Sequence, residues 1–99
     1  MSIEDGLEDS FTSAGIVVEG INIIASSQDS FGGFVADVSS NLGRIRVTKD
    51  RGQHFIDSVE DVSTGRCLRG DSKWPELAPI YGSGNWTLMD LLLGISRQG

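Results

Sequence analysis

At 99 residues, with 38% hydrophobic and 22% charged residues, the chain has the size and composition of one small globular domain, residues 1–99, whose modest core leaves no room for a deep cleft around a large cofactor. Its net charge of −6 is unevenly placed: residues 1–43 hold seven acids and no Lys or Arg, and residues 44–99 hold seven acids and eight bases. That distribution argues against a nucleic-acid binder, which needs a basic surface, and a lone Cys67 without a second Cys or a His cluster argues against an internal disulfide and a zinc site, so that no cofactor is expected.

The opening MSIEDGLED is acidic where a secretory signal would be basic and then apolar. The run Gly15 to Ala25 is about half a membrane span and is broken by Glu19, Gly20 and Asn22. The expectation is a cytoplasmic protein that does not enter a membrane. Ile3, Leu7 and Phe11 recur at four-residue spacing, with Ser2 as N-cap and Glu4, Asp5, Glu8 and Asp9 near the positive end of the helix dipole. This spacing predicts an amphipathic helix over 3–13. Gly6 costs it roughly 1 kcal/mol relative to Ala, and Gly15 supplies a stop.

Residues Gly15 to Ala25 are rich in β-branched side chains and predict a strand, or two with a bend at Gly20. A loop over 26–30 leads to a strand from Phe31 to Ser40, with Phe34, Ala36 and Val38 on one face. Asn41-Leu42-Gly43 turns the chain into Arg44-Ile45-Arg46-Val47-Thr48, with Ile45 and Val47 inward and both arginines outward. Asp50-Arg51-Gly52 then fits a three-residue hairpin loop closed by Gly52, in which Val47 faces Phe55 and Ile45 faces Asp57. A two-residue Arg51-Gly52 loop is the alternative, with Val47 facing Ile56 and Arg46 paired with Asp57.

A further strand is expected over Gly65 to Leu68 after a Ser63-Thr64-Gly65 turn. Pro75, Pro79, Gly82 and Gly84 mark residues 70–85 as a loop pinned by Trp74, Leu77, Ile80 and Tyr81. Thr87 and Asp90 form a capping-box-like pair, and Trp86 against Leu91 would act as a hydrophobic staple. A helix follows from Leu88 to Leu93 or Arg97, burying Met89, Leu92 and Ile95. The predicted fold class is α+β: an antiparallel β-meander of four to five strands with an N-terminal and a C-terminal helix packed on one face.

No catalytic grouping emerges. A relay of Ser58, His54 and Asp50 fails because His54 and Ser58 on one strand would stand about 13 Å apart at roughly 3.3 Å per residue. Glu60 and Asp61 are adjacent on a strand and so point to opposite faces. Gly82-Ser83-Gly84 lacks the third glycine of a dinucleotide fingerprint. Arg44, Arg46, Lys49 and Arg51 read as a solvated edge that discourages strand addition, and Cys67 as a reduced, half-buried thiol.

The hairpin GRIRVTKDRGQHFIDSV (43–59), followed by GNWTLMDLLLGI (84–95), resembles a pattern in immunity-type proteins of bacterial polymorphic toxin systems. In that pattern an arginine-bearing strand, a DRGQ turn and an aromatic strand precede a terminal helix introduced by an aromatic residue. The matching positions are Asp50, Arg51, Gly52, Gln53 and Phe55, then Trp86, Leu91 and Leu92, under half of the chain. The resemblance implies a noncatalytic protein that binds a cognate toxin domain and blocks it.

The expected function is therefore a binding module whose acidic surface masks a basic toxin site such as that of a nuclease. Opposite potentials speed such encounters and reject wrong partners. Glu4, Asp5, Glu8, Asp9, Glu60 and Asp61 are the interface candidates. The alternatives are an enzyme or small-ligand domain using His54 with Arg46 or Asp57, and a self-associating subunit that dimerises through a strand edge or the terminal helix. Monomer and homodimer are both compatible with the sequence.

Overall fold

The computed structural model of the protein describes residues 3–26, 33–61 and 63–96. The expected N-cap Ser2, most of the loop before β2 with Phe31, and the outer helix limit at Arg97 lie outside them. The chain forms α1 (Ile3–Ser13), β1 (Val18–Ser26), β2 (Phe34–Ser40), β3 (Gly43–Asp50), β4 (Gln53–Glu60), β5 (Cys67–Arg69), α2 (Gly70–Lys73), α3 (Leu77–Gly82) and α4 (Leu88–Ser96). The five strands make one antiparallel sheet in the order β1-β2-β3-β4-β5. The α+β meander with a helix before and after it is the fold the sequence predicts.

A single hydrophobic cluster joins helices to sheet. Leu7 and Phe11 of α1 and Leu88, Leu91, Leu92 and Ile95 of α4 pack with Phe34, Ala36, Val38, Ile45, Val47, Ile56 and Val59, so both terminal helices lie on one face. The opposite face carries Asn22, Asp37, Ser39, Arg44, Arg46, Thr48 and Ser58, none of them fully buried. Buried apolar residues (Phe34, Ala36, Val38 in β2; Ile45, Val47 in β3) alternating with more exposed, mostly polar ones create these two faces. Among the described residues no helix is long and apolar enough to cross a membrane.

Helix α1 stops where Gly15 takes φ 83°. The Gly15 amide donates to the Thr12 carbonyl (3.0 Å) and the Ile16 amide to the Phe11 carbonyl (2.9 Å), a Schellman closure with Ile16 folded back into the core beside Phe11. For this reason β1 begins at Val18 rather than Gly15. It is one strand with register shifts at Glu19 and Ile24, so the expected bend near Gly20 is a bulge. At α4 the Thr87 amide donates to Asp90 Oδ2 (2.9 Å) and the Asp90 amide to Thr87 Oγ1 (3.2 Å), the expected reciprocal cap.

The hairpin takes the two-residue loop. Arg51 (φ 53°) and Gly52 (φ 83°) both adopt left-handed backbone, as a primed turn requires. Asp50 pairs with Gln53 and Val47 with Ile56. A bulge at Asp57 then moves Arg46 onto Ser58 and Ile45 onto Val59. The extra residue keeps Ile56 and Val59 both on the core side, which neither uninterrupted register achieves.

Three further expectations are corrected. Residues 70–85 hold two short helices instead of a loop, with Trp74 and Leu77 buried. Met89 is only partly buried, because the apolar stripe of α4 is Leu88, Leu91, Leu92 and Ile95. The arginines of β3 lie on the central strand, not on a solvated edge; Arg46 forks onto Asp37 (2.9 and 3.2 Å) and Arg44 reaches Glu60 (3.4 Å).

β5 covers only Ser58 to Glu60 of β4. The bare half is met by side chains: the Ile56 amide donates to the Tyr81 hydroxyl (3.0 Å), and Trp86 Nε1 donates to the His54 carbonyl (2.6 Å). Phe55, Tyr81 and Trp86 pack together with ring centroids 5.1–5.7 Å apart, Trp86 edge-to-face against the other two. Trp86 is thus committed to the sheet edge, where the sequence suggests a staple on Leu91. Tyr81→Phe is expected to cost about 1–2 kcal/mol in urea denaturation, because the part-buried Ile56 amide loses its acceptor while the ring contacts remain. A loss near zero would mean that water replaces the hydroxyl.

Candidate functional site

The six candidate acids fall in two places. Glu4, Asp5, Glu8 and Asp9 are all exposed along α1, clear of the Leu7 and Phe11 side that docks on the sheet. Glu60 lies on the opposite face of the sheet, ion-paired with Arg44 directly across the ladder. Asp61 follows it into a turn, where its Oδ1 accepts from the Ser63 hydroxyl (2.7 Å) and amide (3.0 Å). Those bonds hold the Asp61 carboxyl below its ordinary pKa. The fold therefore unites the α1 acids and separates Glu60 and Asp61 from them.

Holding four acids on one short helix has a cost. Glu4 with Glu8 and Asp5 with Asp9 are like-charge pairs at i, i+4, each opposing the helix by about 0.2–0.5 kcal/mol. The helix dipole offsets part of this for the two acids of the first turn, Glu4 and Asp5. No base stands in the last turn of α1 to balance them.

A second acidic feature is concave. A cleft of about 410 Å³ opens beside the β3–β4 hairpin, with Asp50, Asp57, Asp71 and Arg69 at its rim and Phe55 and Tyr81 forming its wall. Asp57, the bulged residue, is exposed. Arg69 and Asp71 approach to 3.5 Å across exposed surface. Burial pushes the Tyr81 phenol up, and the carboxylates of Asp71 and Asp57 push the same way. Sequence reasoning missed this cleft; Asp57 and Tyr81 meet only because a bulge and a short helix bring them together.

His54 belongs to neither feature. Its ring meets Phe34 edge-on at 5.9 Å on the core side of β4, while Arg46 and Ser58 occupy the other face. The structure thus brings His54 neither to Arg46 nor to Ser58. Burial, with help from Lys49, lowers its pKa. The neutral imidazole is the form the fold favours, so stability falls as pH drops from above the ordinary histidine value of about 6.5 through the lowered folded value. Thermal melts from pH 8 to 5 should show this slope reduced in His54→Gln; an unchanged slope would assign it to the carboxylates.

Cys67 is exposed rather than half-buried, because β5 is a three-residue edge strand. A separate cleft of about 420 Å³ lies at the other end of the sheet, between Glu19, Leu42, Asp61, Leu68 and Lys73. Among the described residues no group of three or more His, Cys, Asp or Glu is placed to hold a metal ion. No protein-family model, no curated protein and no solved structure matches the chain.

Proposed function

We propose that the protein is a noncatalytic binding module, an immunity-type inhibitor that covers a basic surface of a bacterial toxin domain. The observation that supports this reading is the placement of charge over the fold. Glu4, Asp5, Glu8 and Asp9 stand exposed on one helix at a cost to that helix, while Arg44 and Arg46 are ion-paired with Glu60 and Asp37 on the far face of the sheet. A basic partner would relieve the repulsion along α1 and be drawn to it by long-range attraction. Glu60 and Asp61 remain outside this stripe.

The test starts with affinity capture by the tagged protein from its own cells, followed by assay of any basic polypeptide recovered in near-equal amount. The complex should abolish that polypeptide's toxicity. Reversal of all four α1 acids to lysine should weaken capture by at least about tenfold, roughly 1.4 kcal/mol, whereas Glu60→Gln should leave it unchanged. Full capture by the reversed protein would overturn the assignment.

One observation favours a second reading. The Asp50, Asp57 and Asp71 cleft has an aromatic wall, an arrangement that suits a small cationic group. Under that reading Asp57→Asn removes binding of the cation, and the α1 reversals do not.

A further inference from the structure

We propose that an extended, basic segment of a partner protein adds as a sixth strand to the free edge of β1. The inference rests on the reading of the protein as a binder of basic partners, and it names the surface.

The sheet has two edges, and they are treated differently. On one side β5 is only three residues long, is preceded by Arg66 and ends in Arg69, while the rest of β4 is capped by Tyr81 and Trp86. Brevity, charge and side-chain cover are the ordinary means of closing an edge. On the other side β1 runs for nine residues, Val18–Ser26, and among the described residues it pairs within the sheet with β2 alone. From Gly20 to Ser26 it holds no Lys, Arg or Pro, and Ile24 stands 48% exposed. Its only irregularities are the bulges at Glu19 and Ile24, which leave Gly20–Ile23 as the regular segment.

Charge selects the occupant. The single charge on β1 is Glu19, and the helix packed against β1 is α1 with its four exposed acids. A second copy of the chain would bring two such acidic helices to one interface. A basic segment meets the opposite potential there, so main-chain hydrogen bonds to the edge supply attachment and the flanking acids supply selection.

Two labelled peptides of about ten residues, enough to span β1 at roughly 3.3 Å per residue, test this on the full chain by fluorescence anisotropy. One alternates Lys and Val. The other carries the same charge with two Val replaced by Pro, which cannot complete a strand. The alternating peptide is expected to bind at least about tenfold more tightly, to slow amide exchange across Gly20–Ile23, and to be lost in Ile24→Lys but kept in Ile24→Glu. Equal affinities would reduce the contact to charge alone and overturn strand addition. Absence of binding, protection elsewhere, or a dimer with β1 protected before any peptide is added would overturn it too. If a captured toxin domain binds Ile24→Lys as well as it binds the unaltered chain, the edge assignment falls and the inhibitor reading stands. If no toxin domain is found while the peptide still protects β1, the reverse holds.

Discussion

Gly43→Ala is expected to lower stability by about 3 kcal/mol or more, through two effects at one position. Gly43 has φ +115°, where an L side chain adds about 1–3 kcal/mol of backbone strain. A Cβ there would also stand 2.6 Å from the Glu60 carbonyl oxygen and 3.2 Å from Val59 Cγ2. That oxygen belongs to the β3–β4 ladder and cannot withdraw without opening it, and such overpacking adds about 1–3 kcal/mol. The buried Ser40 hydroxyl, which donates to the Gly43 carbonyl (2.8 Å) and accepts from the Leu42 amide (3.1 Å), ties the same turn to β2. Gly52→Ala is the comparison: φ is +83° but nothing lies within 4 Å of the added carbon, so only the left-handed penalty of about 1–2 kcal/mol applies. Urea midpoints at unchanged slope give both values, and equal losses would show that the Glu60 carbonyl gives way.

Phe11→Ala should cost about 3–5 kcal/mol, the range for deleting a buried aromatic, out of a total of about 5–15 kcal/mol for a domain of this size. Phe11 is wholly buried, and with Leu7 it forms the buried side of α1. Its carbonyl also receives the Ile16 amide that closes the helix. The loss should therefore be local as well as global: exchange at α1 amides should rise toward that of a detached helix while β2 to β4 stay protected. Phe11→Leu, which keeps most of the volume, should cost less than about 1.5 kcal/mol. A uniform rise in exchange over the whole chain would mean instead that α1 and the sheet unfold as one unit.

What could be read from the sequence was local. The α1 period, its Gly15 stop and the Thr87–Asp90 cap each depend on steps of five positions or fewer along the chain, and each stands where the spacing puts it. The alternation of β3 likewise sent Ile45 and Val47 inward. It could not show that β3 is central, because neighbours on both sides come from other parts of the chain. The hairpin register was open for a related reason. Gly52 satisfies either loop, and the choice rests on seating Val47 with Ile56 and Ile45 with Val59, which requires the Asp57 bulge. Residues 70–85 looked like a loop because Pro75, Pro79, Gly82 and Gly84 dominate local propensity. Their helices are held by tertiary contact, with Gly70 so close against the Ile56 carbonyl that a Cβ has no room. The candidate acids of α1 followed from composition plus period; the concave acidic cleft did not, since Asp57 and Tyr81 are joined only by the finished fold.

The sheet is complete in the chain before its cover is. All five strands end at Arg69, whereas Tyr81, Trp86 and the apolar stripe of α4 come afterwards. During synthesis the strands leave the ribosome first, with only α1 over the inner face and with the β4 edge uncapped. The nascent chain at that stage, rather than the finished protein, is the species most prone to pair with a neighbour. Slowing translation after Arg69 should raise the aggregated fraction without any change in the stability of the molecules that escape.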